Sequence, residues 1–286
     1  MERPHPVQNE SFAVTIDGQE ARVPRDTTVL EAARALQIDI PTLCYHPALA
    51  PYGQCRLCLV EVKSGKRSRI VTSCNYPIRE DGLVIETHSP RVLSNRRMVV
   101  ELLLARCPKV PLVQKLAEEL GVSQPRFPTK DENEDCVLCG LCVRVCEEVI
   151  GANAISFVGR GHNRKVMTPY DERSEDCLGC GACAFVCPTG AIAIQDVLNM
   201  RRMVDWHTEL ERQTCRRCGK PFAPEVSLER LGSKVDFLKD VLEVCPDCRR
   251  ELFGTQFVVG TRVGPVQTAS DKRKSYAQSL IRGGKE

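Results

Sequence analysis

Cysteine is the residue type through which this chain could do chemistry. It has 17 cysteines in 286 residues, and sixteen of them fall into four sets of four, which leaves Cys107 alone. An odd total argues against a complete disulfide framework, and thiolates in a reducing compartment more often bind metal than pair. The grouping therefore predicts four tetrathiolate sites. The sets are Cys44, Cys55, Cys58 and Cys74; Cys136, Cys139, Cys142 and Cys146; Cys177, Cys180, Cys183 and Cys187; and Cys215, Cys218, Cys245 and Cys248.

The second and third sets both follow the spacing C-x2-C-x2-C-x3-C, and the third ends in Cys187-Pro188. This spacing is typical of bacterial two-cluster ferredoxins, in which the fourth cysteine of each run ligates the other cluster. The alternative is a pair of zinc sites, for which three evenly spaced cysteines plus a fourth are unusual. We predict a first [4Fe–4S] cluster on Cys136, Cys139, Cys142 and Cys187, and a second [4Fe–4S] cluster on Cys177, Cys180, Cys183 and Cys146.

The elements that must position the first set can be read from the sequence before it. Residues 12–16 alternate in polarity and end at Asp17-Gly18, a hairpin turn signal, so residues 19–23 can pair back as a second strand. Thr28 and Glu31 form a capping box before a helix that continues to Leu36. Later strands are expected over 57–62 and 83–87.

The segment around the first set resembles a known family of iron–sulfur proteins. Gly53-Gln-Cys55-Arg-Leu-Cys58-Leu-Val-Glu61 is similar to the [2Fe–2S] domain of the large iron–sulfur subunit of respiratory complex I. It is also similar to the diaphorase iron–sulfur subunit of NAD-linked hydrogenases and to the amino-terminal part of iron-only hydrogenases. The resemblance covers residues 10 to 195. It implies a β-grasp domain with a [2Fe–2S] cluster on Cys44, Cys55, Cys58 and Cys74, with a zinc site as the alternative.

Those families usually hold one more [4Fe–4S] cluster, ligated by one histidine and three cysteines, between the two ferredoxin domains. The corresponding stretch here, residues 102–121, keeps a helical pattern but has Cys107 as its one cysteine and no histidine just upstream of it. We therefore expect this cluster to be absent.

The fourth set consists of two CxxC pairs, Cys215 with Cys218 and Cys245 with Cys248, with 26 residues between them. Such pairs are typical of a tetrahedral S4 site that binds zinc or a single rubredoxin-like iron. Zinc is the preferred prediction, in a structural role, because so small a module buries little core. A further iron–sulfur cluster and mononuclear iron are the alternatives.

Together these patterns predict an α+β chain in five parts. They are a β-grasp [2Fe–2S] domain over 10–88, a helical linker without its cluster over 89–127, a bacterial dicluster [4Fe–4S] domain over 128–198, a small zinc-ribbon-like module with four cysteines over 205–260, and a basic tail over 261–286. The chain opens without a hydrophobic signal-peptide region and contains no apolar run long enough to cross a bilayer, so a cytoplasmic location is expected.

The redox centres come without a recognisable catalytic motif. Ser–His–Asp patterns, P-loops and complete dinucleotide-binding fingerprints are not seen, so an enzymatic role of the chain by itself is uncertain. One-electron carriers are most useful beside a flavin, which splits a hydride into single electrons. The resemblance implies a flavin- and NAD(P)H-binding partner subunit and, at the other end, a hydrogenase, formate dehydrogenase or ferredoxin partner, including electron-bifurcating complexes. A stand-alone polyferredoxin and a non-redox metal scaffold are the alternatives. The net charge of +3 is too small to indicate a nucleic-acid partner.

Overall fold

The computed structural model describes residues 10–234 and 239–258. Within these residues the chain forms two compact units, one ending at Cys139 and the other beginning at Gly140. The predicted basic tail over 261–286 lies outside the described residues, as does the end of the predicted four-cysteine module. Among the helices described here, none combines the length and the apolar content that a membrane crossing requires.

The first unit is built on a five-stranded mixed sheet with the strand order β2-β1-β5-β3-β4. Strands β1 and β5 run parallel to each other, and the other neighbours in the sheet are antiparallel. A short helix, α1, contributes four buried residues to the core beneath the sheet. The elements are β1 (Ser11–Ile16), β2 (Gln19–Pro24), α1 (Val29–Ala35), β3 (Leu59–Ser64), β4 (Arg67–Thr72) and β5 (Leu83–Glu86).

The predicted hairpin and capped helix at the start of this unit are confirmed. Asp17 and Gly18 both have positive φ, as a tight hairpin turn between right-twisted strands requires. The Thr28 hydroxyl accepts from the backbone N–H of Glu31, and the Glu31 carboxylate accepts from the backbone N–H of Thr28. The strand expected over 57–62 begins two residues later, because Leu57 and Cys58 belong to the cysteine loop. Strand β4 was not predicted.

Two helices, α2 (Pro90–Arg106) and α3 (Pro111–Glu119), follow the sheet in the first unit. Their buried residues form a separate core with the cysteine loop: Val100 of α2 and Leu116 of α3 cluster with Leu43 and Leu57. The predicted helical pattern over 102–121 is thereby confirmed. Leu57 lies between Cys55 and Cys58, so this core supports the loop that carries the first cysteine set.

The second unit has short helices around its cysteines and then an antiparallel sheet with the order β11-β10-β9-β8. Helix α4 continues directly into a π-helical turn over Val145–Ile150. The elements are α4 (Leu141–Arg144), β6 (Ser156–Val158), β7 (Lys165–Met167), α5 (Ala182–Phe185), β8 (Ile194–Val197), β9 (Met200–Met203), β10 (Thr208–Thr214), β11 (Pro221–Pro224), α6 (Glu225–Lys234), α7 (Lys239–Leu242) and α8 (Pro246–Val258).

Candidate iron–sulfur sites

The first cysteine set is arranged as two thiol pairs, Cys44 with Cys55 and Cys58 with Cys74. Within each pair the two side chains are hydrogen-bonded to each other. These bonds lower the pKa of Cys55 to about 6 and that of Cys58 to about 7, and they raise the pKa values of Cys44 and Cys74. A [2Fe–2S] cluster has two irons, each held by two protein ligands, so two close thiol pairs fit this cofactor.

The backbone around these pairs is held by short polar contacts. The backbone N–H of Cys55 donates to the Cys44 sulfur (3.4 Å), and the N–H of Ser73 donates to the Cys58 carbonyl (3.0 Å). Gly53 has φ +69°, and a Cβ at this position would come within 2.8 Å of the Asn75 side chain. A side chain at position 53 would therefore be strained in this backbone conformation and would displace the Asn75 side chain in the turn that carries Cys74.

A buried cation lies beside this loop. Arg96 of α2 is 1 % exposed and donates from Nη2 to the carbonyl of Leu59, the residue after Cys58, over 2.6 Å. Its Nε has no hydrogen-bond partner, and no carboxylate of the described residues forms an ion pair with it. Burial lowers the pKa of this guanidinium, and the negative charge of Cys58 is the largest opposing influence.

The structure brings four cysteines of the second unit together around one cavity. Its walls include the thiols of Cys146, Cys177, Cys180 and Cys183. Cys146 comes from the run that precedes this set by more than thirty residues. The cavity is thus lined by the four cysteines predicted for the second cluster, and their role as its ligands stays a prediction. The other side chains of the cavity wall are apolar, apart from the indole of Trp206. A space bounded by four thiols fits a [4Fe–4S] cubane.

The cysteine loop of this cavity is fixed by residues that follow it in the chain. Arg201 of β9 donates to the Gly179 carbonyl (3.2 Å), and the Ser227 hydroxyl of α6 donates to the Leu178 carbonyl (2.5 Å). A Cβ at Gly179 would approach a methyl group of Leu210 to 2.7 Å. The C-terminal elements therefore pack closely on the loop between Cys177 and Cys180.

The remaining ferredoxin cysteines are divided between the units: Cys136 and Cys139 in the first, Cys142 and Cys187 in the second. In the first unit, Arg106 donates from Nε to the Cys136 carbonyl (2.7 Å), and the Gln54 amide donates to the Leu138 carbonyl (2.7 Å). In the second unit, Cys142 is buried in α4, and the Cys187 sulfur lies 3.5 Å from the Thr189 hydroxyl. The assignment of these four to the first [4Fe–4S] cluster remains a prediction.

The fourth set forms a compact S4 group. The four sulfurs of Cys215, Cys218, Cys245 and Cys248 all lie within 4.8 Å of one another, and those of Cys218 and Cys245 are 3.8 Å apart. Four ligands about 2.3 Å from one zinc ion in a tetrahedron stand about 3.8 Å apart, so the group fits a single metal ion. A cubane would force the sulfurs farther apart, because four irons and four sulfides stand between them. The first pair lies between β10 and β11, and the second pair at the start of α8.

Cys107 is fully buried at the C-terminal end of α2. Burial raises the pKa of its thiol to about 12, so the group is protonated at neutral pH. The expectation that no cluster is held here stays a prediction.

Sequence reasoning missed four residues that the structure places at the cysteine loops. Gln54, Arg96, Arg106 and Trp206 are far in sequence from the atoms they approach. Gln54 stands in the cysteine motif of the first set and Trp206 is the one tryptophan of the chain, whereas Arg96 and Arg106 carried no signal.

Comparison with known protein families finds matches to the regions that carry the first three cysteine sets. Residues 9–90 match the 2Fe-2S iron-sulfur cluster binding domain, and residues 135–191 and 169–222 match two models of a 4Fe-4S dicluster domain. The chain, of mixed helix and strand content, thus contains a region similar to [2Fe–2S] domains, followed by one cysteine-rich region to which both overlapping 4Fe–4S dicluster models match.

Its relatives are redox subunits. The chain is 33 % identical over 172 residues to the NADPH-Fe(3+) oxidoreductase subunit alpha of Geobacter sulfurreducens. The aligned region covers 52 % of this chain and 20 % of the relative. It is 36 % identical over 188 residues to the NADP-reducing hydrogenase subunit HndD of Solidesulfovibrio fructosivorans (56 % and 32 %). It is 29 % identical over 204 residues to the mitochondrial NADH-ubiquinone oxidoreductase 78 kDa subunit of Candida albicans (63 % and 28 %).

The predicted resemblance to iron–sulfur subunits of complex I and of NAD(P)-linked hydrogenases is confirmed. The chain spans between a fifth and a third of the length of these relatives.

Proposed function

We propose that the chain is an electron-transfer subunit of a multisubunit NAD(P)H-linked oxidoreductase. It relays single electrons between a flavoprotein subunit and a second redox partner, which is a hydrogenase, a formate dehydrogenase or a ferredoxin. The relatives support this role, because each is named as a subunit of an oxidoreductase or a hydrogenase that uses a nicotinamide nucleotide. Clusters of this kind supply one-electron chemistry, whereas the flavin would exchange the hydride.

One observation carries the proposal: two cysteine loops of the first unit are in direct contact. Gln54, next to Cys55, donates to the carbonyl of Leu138, next to Cys139. A relay needs its centres close together, while clusters that only hold a scaffold together have no need to adjoin. The contact also gives electrons a direct route in the absence of the histidine-ligated cluster of the resembling families.

Three finer assignments belong to the same proposal. The mixed sheet order β2-β1-β5-β3-β4 with α1 against it supports a β-grasp fold for the [2Fe–2S] domain. The compact S4 group supports one zinc ion in the C-terminal module. Contacts from α6 to the Leu178 and Gly151 carbonyls support a structural role for that module beside the second [4Fe–4S] cluster.

Anaerobic reconstitution followed by redox titration tests the proposal. We expect reversible bleaching of the visible absorbance with dithionite, and reduction by NADH or NADPH only after a flavoprotein subunit is added. Clusters that dithionite cannot reduce would support the non-redox scaffold instead. The chain could instead purify alone as a monomer and exchange electrons rapidly with free redox proteins. That result would support the stand-alone polyferredoxin.

A further inference from the structure

The single tryptophan of the chain lies in the wall of the cavity that holds Cys146, Cys177, Cys180 and Cys183. Trp206 is 4 % exposed and packs in the same buried cluster as Cys183 and Met203. It belongs to no cysteine set and follows the last cysteine of the ferredoxin runs by nineteen residues. Its place in this wall is therefore decided by the tertiary structure.

The indole N–H of Trp206 has no hydrogen-bond partner, although the nitrogen is fully buried. Buried indole N–H groups usually find an acceptor, because leaving such a donor unsatisfied is costly. The other side chains that line the cavity are apolar or contain sulfur, so sulfur is the side-chain atom that can accept a hydrogen bond from the indole there. An unsatisfied donor in a wall of thiols points to a ligand whose surface is sulfur.

The turn that carries Trp206 is fixed at both ends. It is a 3-10 turn over Val204–Trp206 that joins β9 to β10. The N–H of Val204 donates to the carbonyl of Ala193 (3.2 Å), and the N–H of Ala193 donates to the carboxylate of Asp205 (2.8 Å). The Thr208 hydroxyl donates to the Trp206 carbonyl (2.8 Å). The indole is therefore held in position before any cluster binds, as a tuning group requires.

The indole acts most directly on Cys183. The Trp206 side chain packs in the cavity wall within hydrogen-bonding reach of the Cys183 sulfur, but it does not meet that sulfur with full hydrogen-bond geometry. The N–H favours negative charge on this sulfur.

We propose that Trp206 donates its indole N–H to the Cys183 thiolate of the second [4Fe–4S] cluster and thereby raises the reduction potential of that cluster. The inference rests on the cluster assignment made under the proposed function. Reduction adds one electron to the cluster and transfers no proton, so the cluster and its thiolates become more negative by one charge. A hydrogen bond to a ligand sulfur stabilises the more negative state more strongly, which raises the potential.

The test is a redox titration of the Trp206→Phe variant, monitored by electron paramagnetic resonance. Phenylalanine keeps an aromatic ring in the wall but has no donor. We expect the iron content to stay unchanged. The reduction potential of the second cluster should fall by about 59 mV, which corresponds to a tenfold smaller equilibrium constant for accepting one electron. The matched control is Val204→Ala, which shortens an exposed side chain on the same turn, outside the cavity wall, and is expected to leave the potential near that of the wild type.

A second variant keeps the test valid if the smaller phenylalanine ring packs poorly and the Trp206→Phe protein loses the cluster. Because the chain has one tryptophan, replacing tryptophan throughout by its benzothiophene analogue changes this position alone, keeps the two-ring shape and removes the N–H. The same drop in potential supports the proposal, and a loaded cluster with an unchanged potential in either variant overturns it. A wild-type protein that holds no cluster on these four cysteines would instead contradict the proposed function.

Discussion

The side-chain amide of Gln54 donates a hydrogen bond to the backbone carbonyl of Leu138, with 2.7 Å between the two atoms. The two residues are 84 positions apart in the sequence, yet each is adjacent to a cysteine assigned to a cluster. Leu138 has φ +53°, a conformation that residues other than glycine seldom adopt. The loop before Cys139 thus has an unusual conformation that the Gln54 amide holds.

Replacing Gln54 by leucine removes this hydrogen bond with little change in volume. We expect the free energy of unfolding to fall by about 1 kcal/mol, since a typical intramolecular hydrogen bond contributes about that much. Electron transfer from the [2Fe–2S] cluster to the first [4Fe–4S] cluster should slow several-fold at constant iron content. Flash photoreduction followed at wavelengths that separate the clusters measures this rate.

The matched control for Gln54 is Gln37→Leu. Gln37 makes a local side-chain hydrogen bond to the carbonyl of Arg34 at the end of α1. We expect no effect of this substitution on electron transfer. Equal rates in Gln54→Leu and in the wild type would show that the contact is not part of the route.

Replacing Cys146 by serine should damage the second [4Fe–4S] cluster and spare the first. The reason is that the Cys146 thiol lines the same cavity as Cys177, Cys180 and Cys183. Iron analysis combined with electron paramagnetic resonance should show loss or conversion of one [4Fe–4S] signal. Loss of the signal that depends on Cys139, with the other intact, would mean that the fourth ligands are not exchanged.

Arg96→Met should lower the reduction potential of the [2Fe–2S] cluster. The guanidinium is buried, has no carboxylate partner among the described residues and donates to the carbonyl beside Cys58. A unit charge roughly 10 Å from another contributes about 1.7 kcal/mol at an effective dielectric constant of about 20. We therefore expect a shift of at least about 59 mV, the equivalent of a tenfold change for one electron.

The control for Arg96 is its neighbour Arg97, which is exposed on the same helix. Arg97→Met removes the same charge, but water screens it, so the potential should change little. An equal shift in both variants would indicate a general charge effect and no special role for the buried cation.

The metal content of the reconstituted chain should be about ten irons and one zinc, from one [2Fe–2S] cluster, two [4Fe–4S] clusters and the S4 group. Cys245→Ser should remove the zinc and destabilise the C-terminal module, because the fold of so small a module depends on its metal. The iron content should stay the same. About fourteen irons without zinc would place a further cluster at the fourth set.

Cys107→Ala should leave the iron content and every cluster signal unchanged. The thiol is fully buried and protonated, so its loss affects packing alone and should cost about 1 kcal/mol of stability. Thermal unfolding and iron analysis measure the two effects. A loss of about four irons would mean that Cys107 ligates a cluster completed by a distant residue or a partner subunit.

The sequence by itself determined the number and kind of cysteine sets. Short spacings keep thiols within a turn or two of each other independently of the tertiary structure. This holds for Cys177, Cys180 and Cys183, and for Cys215 with Cys218. The Asp17-Gly18 hairpin and the Thr28–Glu31 capping box were also predictable, because their signals are local. Strand β4 was missed because charged residues occupy most of its first half, which hides the alternation that marks a strand.

The tertiary structure alone decided which distant groups surround those cysteines. It placed Cys146 in the same cavity wall as Cys177, paired Cys58 with Cys74, and brought Trp206 to Cys183. Each of these contacts joins segments whose approach depends on how whole sheets and helices pack, and no local spacing encodes that packing. Short sequence spacings therefore predict the metal-binding cysteine sets. The packing of the fold decides which other groups lie beside the clusters and adjust the redox properties of those clusters.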